Sequence, residues 1–264
     1  MSQPAWKVLR YQASNVLRSR WLLAYAAFFA IATDALLRWG GDPAAALLSL
    51  VNVVLLVVPL VAAVFGVMFL YDAREFTELL LAQPVSRPAL FGGLYAGLAL
   101  PLAGAFVVGV GVPFLFHAGA DERYRAALVM LLAVGAVLTL VFTALAYLLA
   151  LRSEDRVRGL GTAVGLWLLF TVVYDGIVLL LATAFADYPL ERPLLAAMVA
   201  NPVDLGRVLL LLRFDVAALF GYTGAVFKQF FGSALGIAVG AAGLILWAVI
   251  PALAALRVFH RKNF

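Results

Sequence analysis

Six apolar runs dominate this sequence, at about 21–38, 47–71, 89–117, 126–151, 159–185 and 231–257. Each can cross a bilayer, which takes roughly 20 residues of helix. Hydrocarbon offers no partner for free amides and carbonyls, so runs of this length must close their hydrogen bonds internally, as helices. Composition agrees: 66% of the residues are apolar, 12% are charged and mean hydropathy is +1.06. That is about half the charged fraction of a soluble domain. The expected fold class is all-α, one integral membrane bundle of six transmembrane helices spanning residues 1–264. Pro59, Pro101, Pro113 and Pro251 lie inside the runs. In a bundle, neighbouring helices satisfy the backbone groups that such kinks release.

Charge orients the runs. Lys7, Arg10, Arg18 and Arg20 precede the first, with no acid among them, and Arg74, Arg87, Arg152, Arg156, Arg158, Arg257, Arg261 and Lys262 flank alternate later ends. The opposite short loops hold Arg38, Arg123 and Arg125. The positive-inside rule then puts both termini in the cytoplasm of a bacterial inner (cytoplasmic) membrane and residues 186–230 in the periplasm. A signal peptide competes for the first run, because Ala30-Ile31-Ala32 resembles a cleavage site, but the basic segment is long and the run continues to Leu37. Within residues 1–20, Trp6, Leu9, Ala13, Val16 and Leu17 recur at helical spacing, as in an interfacial helix.

The residue inventory excludes several chemistries. There is no cysteine, so disulfides and thiolate metal sites are absent. His117 and His260 fall at opposite membrane faces and are the only histidines, which leaves no imidazole metal site. None of the three lysines, Lys7, Lys228 and Lys262, follows a glycine-rich phosphate loop, so the chain is not expected to be an enzyme or to hold a cofactor. The dispersed basic residues describe topology, not nucleic-acid binding.

Charged residues inside apolar runs are expensive and mark structure or function. Asp34 precedes Arg38 by four residues, a spacing that allows an ion pair. Asp175, in the fifth run, has no base within two helical turns; a structural polar contact and a transport role both fit it. Glycines recur four apart (Gly93 and Gly97, Gly161 and Gly165, Gly232, Gly236 and Gly240), which permits close packing within a bundle or between copies. In 186–230, Asn201 reads as a helix N-cap, Pro202 as the first helical residue and Asp204 as a first-turn acid, with Arg207 on the same side. Short helices lying on the outer face are expected there. Between the second and third runs, Arg74 to Leu81 reads as a short amphipathic helix, with Glu75 and Glu78 on one side and Leu79 to Leu81 partly buried. A docking helix and an ordinary connecting turn both fit that segment.

Tyr71-Asp72-Ala73, Thr77 with its leucines and Pro84-Val85-Ser86-Arg87 resemble the coupling segment of ABC type-2 permeases. Gly165 to Phe170 with Tyr174-Asp175, Asn201 to Arg207, and the basic tail are similar to the NosY-like branch, which serves nitrous oxide reductase maturation. Leu94 stands where those relatives often carry lysine, and the stretch from Ala73 to Thr77 is shorter and less acidic than theirs. The resemblance covers nearly the whole chain. It implies a homodimer in contact with membrane lipid, separate cytoplasmic ATPase subunits that bind ATP and Mg, and a periplasmic solenoid partner (NosD-like). Arg74, Glu75, Glu78 and Arg87 would then belong to the ATPase-coupling segment, and Asn201, Asp204 and Arg207 to the periplasmic partner segment. A generic exporter of a small amphipathic or lipid-like substrate, and a non-transporting scaffold or channel, remain the other readings.

Overall fold

The computed structural model describes residues 3–40, 43–118, 122–185, 191–213 and 234–262, and every regular element among them is helical. Chain order gives α1 (Gln3–Leu17), α2 (Arg20–Trp39), α3 (Pro43–Asp72), α4 (Arg74–Leu81), α5 (Arg87–Ala118) and α6 (Glu122–Arg152). A composite helix follows: α7 (Arg156–Leu168), a π-helical turn (Leu169–Val173) and α8 (Tyr174–Ala184). Then come α9 (Glu191–Val199), α10 (Pro202–Arg213) and α11 (Ala234–Arg261). Among the described residues, α2, α3, α5, α6, α7–α8 and α11 are long and apolar enough to cross a membrane. The fold class is the all-α, six-span membrane bundle expected from the runs.

Local signals explain where helices begin. Ser19 is extended (φ −70°, ψ 130°) and its hydroxyl accepts from Trp21 N–H at 3.3 Å, which separates α1 from α2. Asp155 caps α7 in the same way, through Val157 N–H at 3.3 Å. The core lies where α3 packs along α6, through Leu50, Val54, Val58 and Ala62 on one side and Leu131, Leu138, Val141 and Tyr147 on the other.

Helix α1 lies along α5, in contact through its Val8, Gln12 and Val16 face. The stripe expected to meet lipid is partly elsewhere: Trp6 and Leu17 are exposed, Leu9 and Ala13 half-buried, and Val16 buried against the bundle. Gly97 makes this contact possible, since a Cβ there would come within 2.7 Å of Gln12 Cβ. The Gly161 and Gly165 pair serves no such contact among the described residues; a Cβ at either position would meet no described atom of another element within 4 Å. The fifth span is also the least covered of the six.

The largest departure from expectation concerns α9 and α10. Instead of lying on the outer face, α10 runs into the bundle and packs against α3, α6 and α11. Val203, Leu205, Val208, Leu209 and Leu210 are buried. The two helices meet at 107°, as in a re-entrant hairpin or a broken span. Its depth follows from Gly206, where a Cβ would meet Val134 Cγ1 at 3.0 Å and Leu138 Cδ1 and Leu55 Cδ2 at 3.6 Å. Those three residues lie near the midpoints of α6 and α3. Enough of α10 is apolar to be worth burying, and Asp204 and Arg207 find partners inside. Residues 214–233, part of the expected outer segment and including Gly232, lie outside the described residues.

Candidate functional site

Two polar assemblies stand out, one at the basic end of the bundle and one around the α9–α10 vertex. At the basic end, α4 is held from beneath. Thr77 is buried, its hydroxyl donates to Ala73 O at 2.7 Å, and Phe76 stacks on Tyr11 of α1 with ring centroids 5.4 Å apart. The opposite face is open. Arg74 and Glu78 pair there at 3.1 Å, and Glu75 is exposed beside them. Leu79 joins this face at 69% exposure, whereas the sequence suggested it was partly buried; Leu80 and Leu81 are the half-buried ones.

The ends of the spans are tied together around α4. Tyr71 hydroxyl lies 3.3, 3.0 and 3.1 Å from the carbonyls of Ala150, Ser153 and Asp155, so it donates into the α6–α7 connection. Arg156 reaches back to Asp72 at 3.0 Å. Lys262 Nζ donates to Leu151 O at 2.8 Å; its burial, with Arg74 nearby, pushes its pKa down, opposed in part by Glu154. Arg87 is turned away from the α4 face. Its Nη1 donates to His260 O at 2.6 Å and Lys262 O at 3.0 Å, closing the C-terminus of α11. Of the four residues read as one coupling segment, Arg74, Glu75 and Glu78 share a surface and Arg87 anchors a different helix.

The second assembly joins two groups of residues that the sequence presents separately. Asn201 is fully buried and its side chain makes three hydrogen bonds. Its Oδ1 accepts from Val203 N–H at 2.9 Å, the expected cap, while Nδ2 donates to Asp204 Oδ2 at 2.9 Å and Phe170 O at 2.8 Å. That last bond crosses from α10 to the π-helical turn, where Tyr174 N–H bonds Leu169 O five residues back and the regular ladder shifts. Arg207 Nη1 lies 2.7 Å from Asp175 Oδ2 and 3.0 Å from Asp204 Oδ1, a cation shared by two carboxylates. The base missing around Asp175 is therefore supplied from 32 residues away. Tyr174 hydroxyl donates to Ala197 O at 2.7 Å and Trp247 Nε1 to Val199 O at 3.0 Å, so α8 and α11 also hold α9. Asp204 is buried, not exposed as its position in a surface helix would require. A sequence signal did exist: Asp175 is an acid in an apolar run with no base near it along the chain.

Asp34 forms a third, smaller cluster at the end opposite α4. It pairs with Arg38 at 2.9 Å, as the spacing suggests, and His117 Nε2 approaches it at 3.3 Å. Among the described residues no three His, Cys, Asp or Glu side chains converge on a site that could hold a metal ion.

The profile of the ABC-2 family transporter proteins matches residues 6–264, almost the whole chain. A probable ABC transporter permease protein NosY from Pseudomonas aeruginosa is 30% identical over 236 residues, covering 82% of this chain and 84% of that protein. Its namesake from Stutzerimonas stutzeri is 27% identical over 281 aligned positions, covering 97% and 98%. With a six-span helical bundle, a short helix exposed at the basic end and a family match along nearly its full length, the chain belongs to the ABC-2 family of transporter proteins and is a NosY-like permease.

Proposed function

We propose that two copies of this chain form the membrane core of an ABC complex whose separate cytoplasmic ATPase subunits bind ATP and Mg. In this reading the ATPases seat on α4, and their stroke passes through the bundle to the α9–α10 hairpin and a periplasmic solenoid partner. The complex supports copper-site maturation of nitrous oxide reductase. The observation that carries the reading is the construction of α4. One face is fixed to α1 by Phe76 and buries Thr77, and the other presents Arg74, Glu75, Glu78 and Leu79 outward. Motion applied there reaches the network of Tyr71, Asp72 and Arg156, which links α3 to the α6–α7 connection. The likeness to permeases named NosY supports the maturation branch over a general exporter. The role assigned to this chain is mechanical coupling, with copper handled by its partners.

The test is copurification and metal content together. Leu79→Asp, together with Glu78→Lys, should abolish recovery of the ATPase with the tagged permease. Nitrous oxide reductase from the same cells should lack copper, with permease abundance unchanged. Full ATPase recovery by this variant would sink α4 as the docking element. A normal copper complement in cells lacking the permease would sink the maturation role.

A further inference from the structure

At the basic end, α1, α2, α3 and α5 enclose a cavity of about 650 Å³ that the coupling reading does not use. Its size falls in the roughly 300–1,000 Å³ typical of small-ligand sites. The deep wall is hydrocarbon, built from Phe65, Met68 and Phe69 of α3 and Leu98 and Leu102 of α5. The mouth is polar, with Asn15, Arg18 and Ser19 at the α1–α2 junction and Asp72 at the end of α3. Trp21 flanks it at 71% exposure, the kind of amphipathic ring that favours headgroup depth.

Two features give the cavity a direction and a charge. Gln12 lines it, most of the residue is covered by the bundle, and its side-chain amide opens onto the cavity without a hydrogen bond to any described residue. An amide that faces a cavity with no protein partner is free to meet a ligand group there. Arg18 likewise has no acidic partner, while Asp72, the acid at the mouth, is already paired with Arg156. The site therefore offers one free cation at the rim, one free amide below it and an apolar floor. Lys7, Arg10 and Arg20 add to the positive field of the same segment.

We infer that this cavity binds one anionic glycerophospholipid from the surrounding membrane. Its phosphate lies at Arg18, an ester carbonyl takes the Gln12 amide, and an acyl chain lies against Phe65, Phe69 and Leu98. Tyr11, Ala73 and Phe76 also border the cavity, so the lipid touches the base on which α4 rests. This assignment stands whether or not α4 receives an ATPase.

Native mass spectrometry of the full-length permease, released from nanodiscs of stated composition, tests it. In phosphatidylglycerol discs the wild type should keep one lipid per chain at detergent levels that strip phosphatidylcholine. Arg18→Gln should weaken retention about fivefold, which corresponds to the roughly 1 kcal/mol of one basic residue at an anionic surface. Gln12→Leu, which keeps the packing against α5, should also weaken it, with thermal unfolding in phosphatidylcholine unchanged for both variants. Wild-type retention by both variants would overturn the site, as would equal retention of phosphatidylcholine. Protection by glycerol 3-phosphate alone, at matching concentration, would overturn the acyl-chain assignment and leave a simple phosphate site.

Discussion

Among single residues, Asn201 combines a local and a long-range task. As a cap alone it would be interchangeable with aspartate, because the two rank almost equally at that position. In this bundle its Nδ2 also satisfies Phe170 O and Asp204 Oδ2, which aspartate cannot do. Asn201→Ala loses the cap, about 1 kcal/mol, and strands a carbonyl, about 1–3 kcal/mol more. Asn201→Asp keeps the cap yet should be at least as destabilising, since it sets a third carboxylate beside Asp204. Thermal unfolding of the purified permease measures both; near-wild-type stability of Asn201→Asp would reduce the residue to a plain N-cap.

Arg207 is argued the same way. Removing it leaves Asp175 and Asp204 facing each other without a cation, a costlier state than replacing the whole group. Arg207→Gln should destabilise by about 1–3 kcal/mol, below the range for fully buried pairs because Arg207 and Asp175 are each over a third exposed. Adding Asp175→Asn should recover part of the loss, a coupling that a double-mutant cycle reads directly. Strictly additive losses would dissolve the bridge as an energetic unit. The sequence marked Asp175 as unusual and read Asp204 and Arg207 as one side of a surface helix, but no spacing rule brings position 175 to position 207.

At the scale of elements, α4 was legible because everything that makes it a helix lies within a few residues. Acid and base at four-residue spacing, a run of helix-forming leucines and Pro84 beyond its end are local signals. Its orientation was less legible: Phe76 stacking on Tyr11 turns Leu79 outward, a contact between segments far apart in sequence. Thr77 donates to Ala73 O with both its N–H and its hydroxyl, at 2.9 and 2.7 Å. Thr77→Pro removes both bonds and should cost the helix roughly 3 kcal/mol. The expected result is loss of ATPase copurification with the permease still abundant in the membrane. Undiminished ATPase recovery would mean that the partner reads something other than this helix. The α9–α10 hairpin is the converse case. Its caps and helical stretch were readable, but whether Asp204 and Arg207 face water or each other depends on α8, which supplies Asp175.

For the whole molecule, orientation in the membrane is the property that the basic residues foretell. Absence of native cysteine makes it easy to check with single introduced thiols. Glu154→Cys, in the exposed α6–α7 connection, should be shielded from an impermeant thiol reagent applied to intact spheroplasts. Trp39→Cys, at the opposite end and 85% exposed, should react. The reverse pattern would invert the topology and place α4 outside. What the sequence determined unaided was the helical class, the six membrane-length helices and the short helix after the second of them. Each depends on apolar length or on spacing along one segment, and lipid leaves such segments a single way to satisfy their backbones. The tertiary structure decided that α10 enters the bundle, that Arg87 closes α11 and that Asp175 finds its cation on α10. Those outcomes depend on which surfaces meet across long separations, where burial of an apolar face must be weighed against pairing its charges, and neither term is written in local periodicity.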